Sequence, residues 1–353
     1  MSQFDCLFSE NKLRIPLSAY AAQIIETDCV NFSKKKTTLI NTVILNYYQT
    51  AESSISLRML DYKKELYRCF SKMELQHNEQ LLSKILKEKA NELQKKYATR
   101  KKADVNWQIT LNKKVIEMLT EDPYSQEEKY YENKPGRFIQ SLIEEYVLKP
   151  HFVREEIICS QMINLIEEAK AGACLLKISH NNGKHFFVKP YMITSDPLSM
   201  YHYLIGYSSN PESIMNADAD SRSSKPLSIR LSKIVEIKKF RHESGILSLS
   251  EEKQIKKEID QKGVQFLTGV TSHIKIWLSD NGIKKYNSQI HLRPSAIVDS
   301  LDEHIYHFEC TETQVLFYFL GFGKDAKVIS PTTLADQFIS SYRAAVECYE
   351  QQL

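Results

Sequence analysis

The chain has 353 residues, 42% of them apolar and 26% charged, enough for two or three domains that each bury a core without staples. Its greasiest run, Val315 to Phe322, is eight residues long, far short of the eighteen or so that cross a bilayer. Forty-seven basic residues against forty-four acidic ones leave a net charge of +3, which neither demands nor excludes a polyanionic partner.

A soluble globular protein is expected. The opening MSQFDCLFSENK has no basic region followed by an apolar one, so export is not expected and a cytoplasmic location is. The seven cysteines are odd in number, scattered, and form no CxxC pair, which argues against a disulfide framework or a zinc knuckle and for reduced thiols.

The first glycine is Gly136, and Pro16 is the only proline before Pro123. The N-terminal part therefore lacks the residues that interrupt helices and is predicted to be mostly helical. Within it, residues 12–17 (KLRIPL) alternate polar and apolar, the mark of a half-buried strand. A helix-like run follows (Leu17, Tyr20, Ala21, Ile24, Ile25), then Ser33 as the N-cap of a second helix carrying Leu39, Ile40, Val43, Ile44 and Tyr47. The same grammar recurs at NWQITL (106–111), NKKVIEMLTE and NKPGRFIQSLIEEYV. One such strand with two helices cannot bury its apolar side alone, so the two copies, residues 10–50 and 104–150, are predicted to pair, with residues 52–102 as a helical connector. Lys12 and Arg14 would face outward on one strand, Asn106, Gln108 and Thr110 on the other. The alternatives are an ordinary helical hairpin with a stray strand at 12–17, and, for the second copy, a helical core that takes in Trp107 and Ile109. A run of eight basic residues from Lys84 to Lys102 against Glu88 and Glu92 reads most simply as a solvated helix face.

LRIP followed by an amphipathic helix and SKKKTTLINTVILNYY resembles the ribbon-helix-helix family. The resemblance implies that outward strand residues, here Lys12 and Arg14, enter a DNA groove and that the second helix start, here Ser33, Lys34, Lys35 and Lys36, grips phosphate.

From Ala173 onward the alternating runs LLKISH, HFFVKPYMI, YHYLIGY, LSIRL and IVEIKKF predict strands. A polar stretch, Ser208 to Lys225, reads as a long loop, and Ser250 to Lys262 as a polar helix before a final α+β block. The overall fold class is α+β. Strand alternation places Tyr201, Tyr203 and Ile205 on one face and His202 and Leu204 on the other. If Leu204 is inward, Tyr203 is free to stack on a base or donate to a phosphate; if Tyr203 is inward, His202 remains. Arg230 and Ser232 share a face, which makes Arg230 the better pocket wall. A guanidinium beside a ring suits single-stranded nucleic acid, because the fork binds phosphate and the ring stacks on any base. Lys189, Arg222, Lys225 and Lys233 extend that basic path.

YHYLIGY, preceded by VKPYMI and followed by SIRLSKIVEIKKF, resembles the WYL domain, with His202-Tyr203-Leu204 at the namesake tripeptide and Ile229 to Ile234 at a second signature. The tripeptide's tryptophan is histidine here; in the second signature an aspartate is Ser232 and an arginine Lys233. The resemblance implies a closed Sm-like, SH3-type β-barrel over 151–247, then the extension and dimerisation domain that often follows, over 248–353. Self-association is also expected from the stripe Phe338, Ile339, Tyr342, Ala345, Val346 and Tyr349 on the last helix, unless that stripe covers the chain's own sheet.

The sequence contains no GxxxxGKS, GxGxxG, HExxH or GxSxG motif. His304, His307 and Cys310 form an HxxHxxC, but strand alternation sets the two histidines on opposite faces, so no metal and no cofactor is expected. Asp218 and Asp220 sit in the polar loop, where they keep it solvated. No catalysis is expected. The combination of a ribbon-helix-helix-like head with a WYL domain and extension resembles the accessory proteins of type VI-D CRISPR systems, which implies single-stranded RNA binding and stimulation of an RNA-cleaving CRISPR effector. The alternatives are a DNA-binding repressor with a WYL effector sensor, and a ligand sensor whose ribbon only oligomerises.

Overall fold

A computed structural model describes residues 11–72, 79–99, 103–121, 124–196, 201–209, 225–240, 245–297 and 303–350. It is a mixed α+β protein whose sheets are all antiparallel. The chain divides into two units, Met1–Ile163 and Asn164–Leu353.

In the first unit β1 (Lys12–Leu17) leads into α1 (Ala19–Asn31) and α2 (Lys36–Tyr47), and β2 (Val105–Thr110) into α5 (Lys113–Thr120) and α6 (Pro135–Val147). Between these halves run α3 (Ile55–Lys72) and α4 (Glu79–Leu93). β1 and β2 form a two-stranded ribbon, with Lys12 opposite Thr110, Arg14 opposite Gln108 and Leu17 opposite Val105. The alternation works as period-2 geometry requires: Leu13, Ile15, Leu17 and Ile109 are buried, while Lys12, Arg14, Asn106, Gln108 and Thr110 are exposed. The buried side meets a helical core that includes Ile25, Leu39, Ile40, Val43, Phe138, Ile139 and Leu142. Gly136 makes that packing feasible, since a Cβ there would lie 2.5 Å from the Arg14 carbonyl oxygen. Asn41 ties α2 to the end of β2, its amide donating to the Thr110 carbonyl (3.0 Å) and its oxygen accepting from the Asn112 N–H (2.8 Å).

Ser33 does not cap α2. It sits in the left-handed region (φ 51°) as the first residue past the end cap of α1: its N–H donates to the Val30 carbonyl and that of Lys34 to the Cys29 carbonyl. Those two bonds are the pattern that closes a helix C-terminus, so the backbone demand of α1 overrides the serine's capping preference. Lys35 is the residue before α2, with no side-chain cap.

The second unit begins in α7 (His151–Ala171) and continues through β3 (Leu175–His180), β4 (His185–Asp196), β5 (Tyr201–Ser209), β6 (Pro226–Arg230) and β7 (Ile234–Phe240). Their order in the sheet is β6-β5-β4-β3-β7. The closed barrel expected from the WYL resemblance is not formed: β6 and β7 lie at opposite ends of the order, and no ladder joins them among the described residues. Only the three-residue turn Leu231–Lys233 separates them in sequence. A flat five-stranded sheet is about 19 Å across, more than so short a link spans, so the sheet must curl even though its end strands do not pair. The strands expected at 175–180, 185–193, 201–207, 227–231 and 234–240 all fall within this sheet, except that Leu231 belongs to the turn.

Helix α8 (Leu249–Lys262) starts with a reciprocal capping box between Ser248 and Glu251. Beyond it, β8 (Thr271–Leu278), α9 (Asp280–Ser288), β9 (Ala296–Ile297), β10 (Ile305–Thr311), α10 (Glu312–Phe319) and β11 (Ala326–Ser330) make a split β-α-β arrangement with sheet order β11-β8-β10-β9, followed by α11 (Thr332–Glu350). All three helices cover one face, burying Ile274, Ile276, Phe308, Tyr286, Phe319, Leu334 and Phe338 together.

Candidate nucleic-acid interface

In β5, Leu204 and Ile205 are both fully buried, so both faces of this strand are covered. Leu204 lies beside Ile229 of β6 and Ile193 of β4. On the other face Tyr203, Ile205 and Tyr207 pack with Ile255 of α8 and Leu267. Thr268 latches this layer to β6: the Ser228 N–H donates to its hydroxyl (3.0 Å), which donates back to the Ser228 carbonyl (2.8 Å). The Tyr207 hydroxyl donates to Gln254 (3.0 Å), and burial pushes its pKa up.

Leu204 is therefore inward, which sequence alternation made the condition for Tyr203 to be free. Yet helix α8 and the Leu267 segment cover most of its ring, leaving 9% exposed. What remains lines a cleft of about 360 Å³ walled by Gln265, Phe266, Thr268, Thr311 and Phe317. Arg230 is the cross-strand partner of Tyr203. Its guanidinium carbon lies 2.9 Å from the centroid of the Tyr201 ring, on the strand position two before Tyr203 and hence on the same face. Arg230 is half-buried, and among the described residues its buried Nε has no hydrogen-bond partner and no carboxylate pairs with its guanidinium. A cation so placed over a ring, with no carboxylate partner among the described residues, can take an anionic ligand. Strand alternation groups Tyr201 with Tyr203 without singling it out. The signal available was their shared face, which leaves either ring open to the arginine.

The other sequence-predicted residues divide. Lys189 is spent within the fold: its ammonium meets the Glu251 carboxylate at 2.8 Å, tying β4 to the capping box of α8. Burial alone would raise the Glu251 pKa, but the bonds from Lys189 and the Ser248 N–H hold it below the usual carboxylate value. His202 is half-buried opposite Ser195. Lys233, in the turn after Arg230, is half-buried, and its carbonyl accepts from the Asn181 N–H. Lys225 is exposed at the start of β6, where the Ser208 hydroxyl donates to its carbonyl (3.1 Å). Arg222, Asp218 and Asp220 lie outside the described residues.

In the first unit Lys12 and Arg14 project from the ribbon. Lys34 is half-buried and Lys35 exposed. Lys36 lies over the Trp107 ring (3.8 Å) and pairs with Glu26 (2.9 Å), so two partners already share its charge. Of the HxxHxxC residues, His304 lies just before β10, so alternation does not govern it and its ring stacks on Trp277 on the same face as His307, not the opposite one; His307 meets His273 (3.3 Å), and Cys310 is buried with its thiol pushed up to about 12 by burial.

No protein-family model matches the chain, and no curated protein does. Among solved structures, one described as a CRISPR Cas-related protein superposes with a TM-score of 0.70 at 19% identity, over 97% of this chain and 95% of that one. The two share a fold along nearly their whole lengths. The proteasome accessory factor B/C of Arthrobacter aurescens aligns at a TM-score of 0.21 and 13% identity over 53% of this chain and 27% of that one.

Proposed function

We propose that the chain is a non-enzymatic, RNA-binding accessory protein of a CRISPR system, with a ribbon-helix-helix-type head and a WYL-type sheet that captures single-stranded RNA. The CRISPR assignment draws on the fold shared with a CRISPR Cas-related protein and on the sequence resemblance to type VI-D accessory proteins. One observation carries the RNA reading: Arg230, half-buried and without a carboxylate partner among the described residues, stacks on Tyr201 beside Tyr203. The guanidinium supplies the phosphate contact, and the Tyr201 ring and the cleft beside Tyr203 the base contact. Captured RNA then sits at high local concentration near the effector nuclease, which the protein stimulates by proximity. The protein acts in the cytoplasm as a homodimer. The dimer reading rests on α11, where Leu334 and Phe338 are used on its own sheet while Ile339, Val346 and Tyr349 stay exposed.

A second reading, a DNA-binding repressor, is favoured by the ribbon, whose outer face presents Lys12 and Arg14 with Asn106, Gln108 and Thr110.

Titration of labelled single-stranded RNA and duplex DNA at two salt concentrations separates the two. Arg230→Ala is expected to weaken RNA binding about ten-fold and more than Lys12→Ala with Arg14→Ala does. A preference for duplex DNA that the latter pair abolishes would establish the repressor instead.

A further inference from the structure

The sheet of the split β-α-β arrangement has a second face that none of its helices covers. Residues 274, 276 and 278 of β8 point into the helical core, so His273, Lys275 and Trp277 point away from it, about 6.6 Å apart in a row. Trp277 is 36% exposed. Its neighbours across the ladders are Lys327 on β11 and Ile305 on β10, and those of Lys275 are Ser330 and His307. The His304 ring stacks on Trp277 (centroids 6.2 Å apart, planes 28° from parallel), and the His273 and His307 rings meet edge to face at 5.4 Å. His304 also approaches Asp280 (4.0 Å). Glu309, opposite His273, is the only acidic side chain in the register pairs of this face.

A tryptophan on a soluble sheet face costs exposure of a large apolar surface. Here two lysines and three imidazoles surround it, and Ile305 is the one aliphatic side chain among its ladder partners. Charge complementarity therefore argues for an anionic occupant with flat, stackable groups, and against a second apolar protein surface. We propose that this face is a base-stacking platform for single-stranded RNA, with Trp277 and His304 holding bases and Lys275 and Lys327 their phosphates. The proposal rests on the RNA-binding reading and adds to it a contact surface built from other strands than Tyr203 and Arg230. Sheet faces with exposed rings bind unpaired bases in this way because every base offers a π-face.

Trp107 and Trp277 are the two tryptophans, so Trp107→Phe leaves Trp277 as the sole indole reporter while keeping a ring beneath Lys36. The full chain carrying that substitution is titrated with an unlabelled oligouridylate of about 15 nucleotides, and binding is followed in parallel by anisotropy of a labelled copy. Indole emission is expected to be quenched along the same binding curve. In the otherwise native chain, Trp277→Ala is expected to lower affinity about ten-fold, and Trp277→Phe to retain most of it. Full binding with unchanged indole emission, or native affinity of the Trp277→Ala chain, overturns the platform and leaves the RNA reading standing. No binding by the native chain overturns both. A Trp277→Ala chain that loses mass by light scattering while keeping its RNA affinity identifies the occupant as a second copy and also overturns the proposal.

Discussion

Asp28 on α1 and Arg154 on α7 form a two-pronged ion pair inside the first unit, with Arg154 Nε 2.8 Å from one carboxylate oxygen and Nη2 3.1 Å from the other. The Tyr146 hydroxyl donates to the same carboxylate at 2.8 Å, and Asp28 is fully buried. Removing one partner leaves a desolvated charge behind. Arg154→Ala is expected to destabilise the protein by about 3 to 5 kcal/mol, measured as a shifted urea midpoint. A loss under ~1 kcal/mol would mean that water or a neighbour takes the arginine's place.

Glu127 lies within the turn Tyr124–Tyr130 and caps the start of α3: it accepts from the Ser56 N–H and from the Tyr48 hydroxyl, both at 2.9 Å, while its other oxygen has no partner among the described residues. Burial pushes its pKa from 4.5 up to about 8, against the pull of those donors. The folded state thus keeps a proton that the unfolded chain releases near pH 4.5. The stability contributed by the neutral acid is complete below about pH 4.5, falls as pH rises, and is gone above about pH 8. Melts from pH 5 to 9 should show a decline of a few kcal/mol that Glu127→Gln flattens. Parallel slopes for the two proteins would contradict the assignment.

Ser33 occupies a left-handed backbone position that glycine adopts without strain. Ser33→Gly should raise stability by about 0.5 to 1 kcal/mol. Were the serine instead an N-cap, the same change would cost a few tenths of a kcal/mol, so the sign of the shift in thermal midpoint decides.

Lys189 and Arg230 should behave as opposites. Lys189→Met breaks the tie to Glu251 and is expected to lower stability while leaving the salt dependence of RNA binding unchanged. Arg230→Ala should leave the thermal midpoint nearly in place and reduce the slope of log affinity against log salt by about one. Equal effects of the two on the salt slope would return Lys189 to the interface.

The ribbon was legible because alternation needs only neighbouring residues: KLRIPL and NWQITL declare their faces without knowledge of the partner. The strands of the second unit were legible for the same reason. Ser33 was misplaced because serine suits both an N-cap and, when a preceding helix demands it, a left-handed turn, and the hydrogen bonds that choose between them run backward to Cys29 and Val30. The open edge between β6 and β7 depends on the turn taken by three residues, which composition does not encode. Lys189 looked free because Glu251 is 62 positions away. Burial of Tyr203 beneath α8 comes from a helix that was expected, but whose docking face was not specified by its polar sequence.

Joining β1 and β2 within one polypeptide has a corollary. A ribbon made by two identical subunits looks the same from either end, whereas here Lys12 and Arg14 occupy one edge and Asn106, Gln108 and Thr110 the other. Any filament laid across it meets a cationic border first on one side and an amide border on the other, so the ribbon carries a built-in polarity and distinguishes left from right.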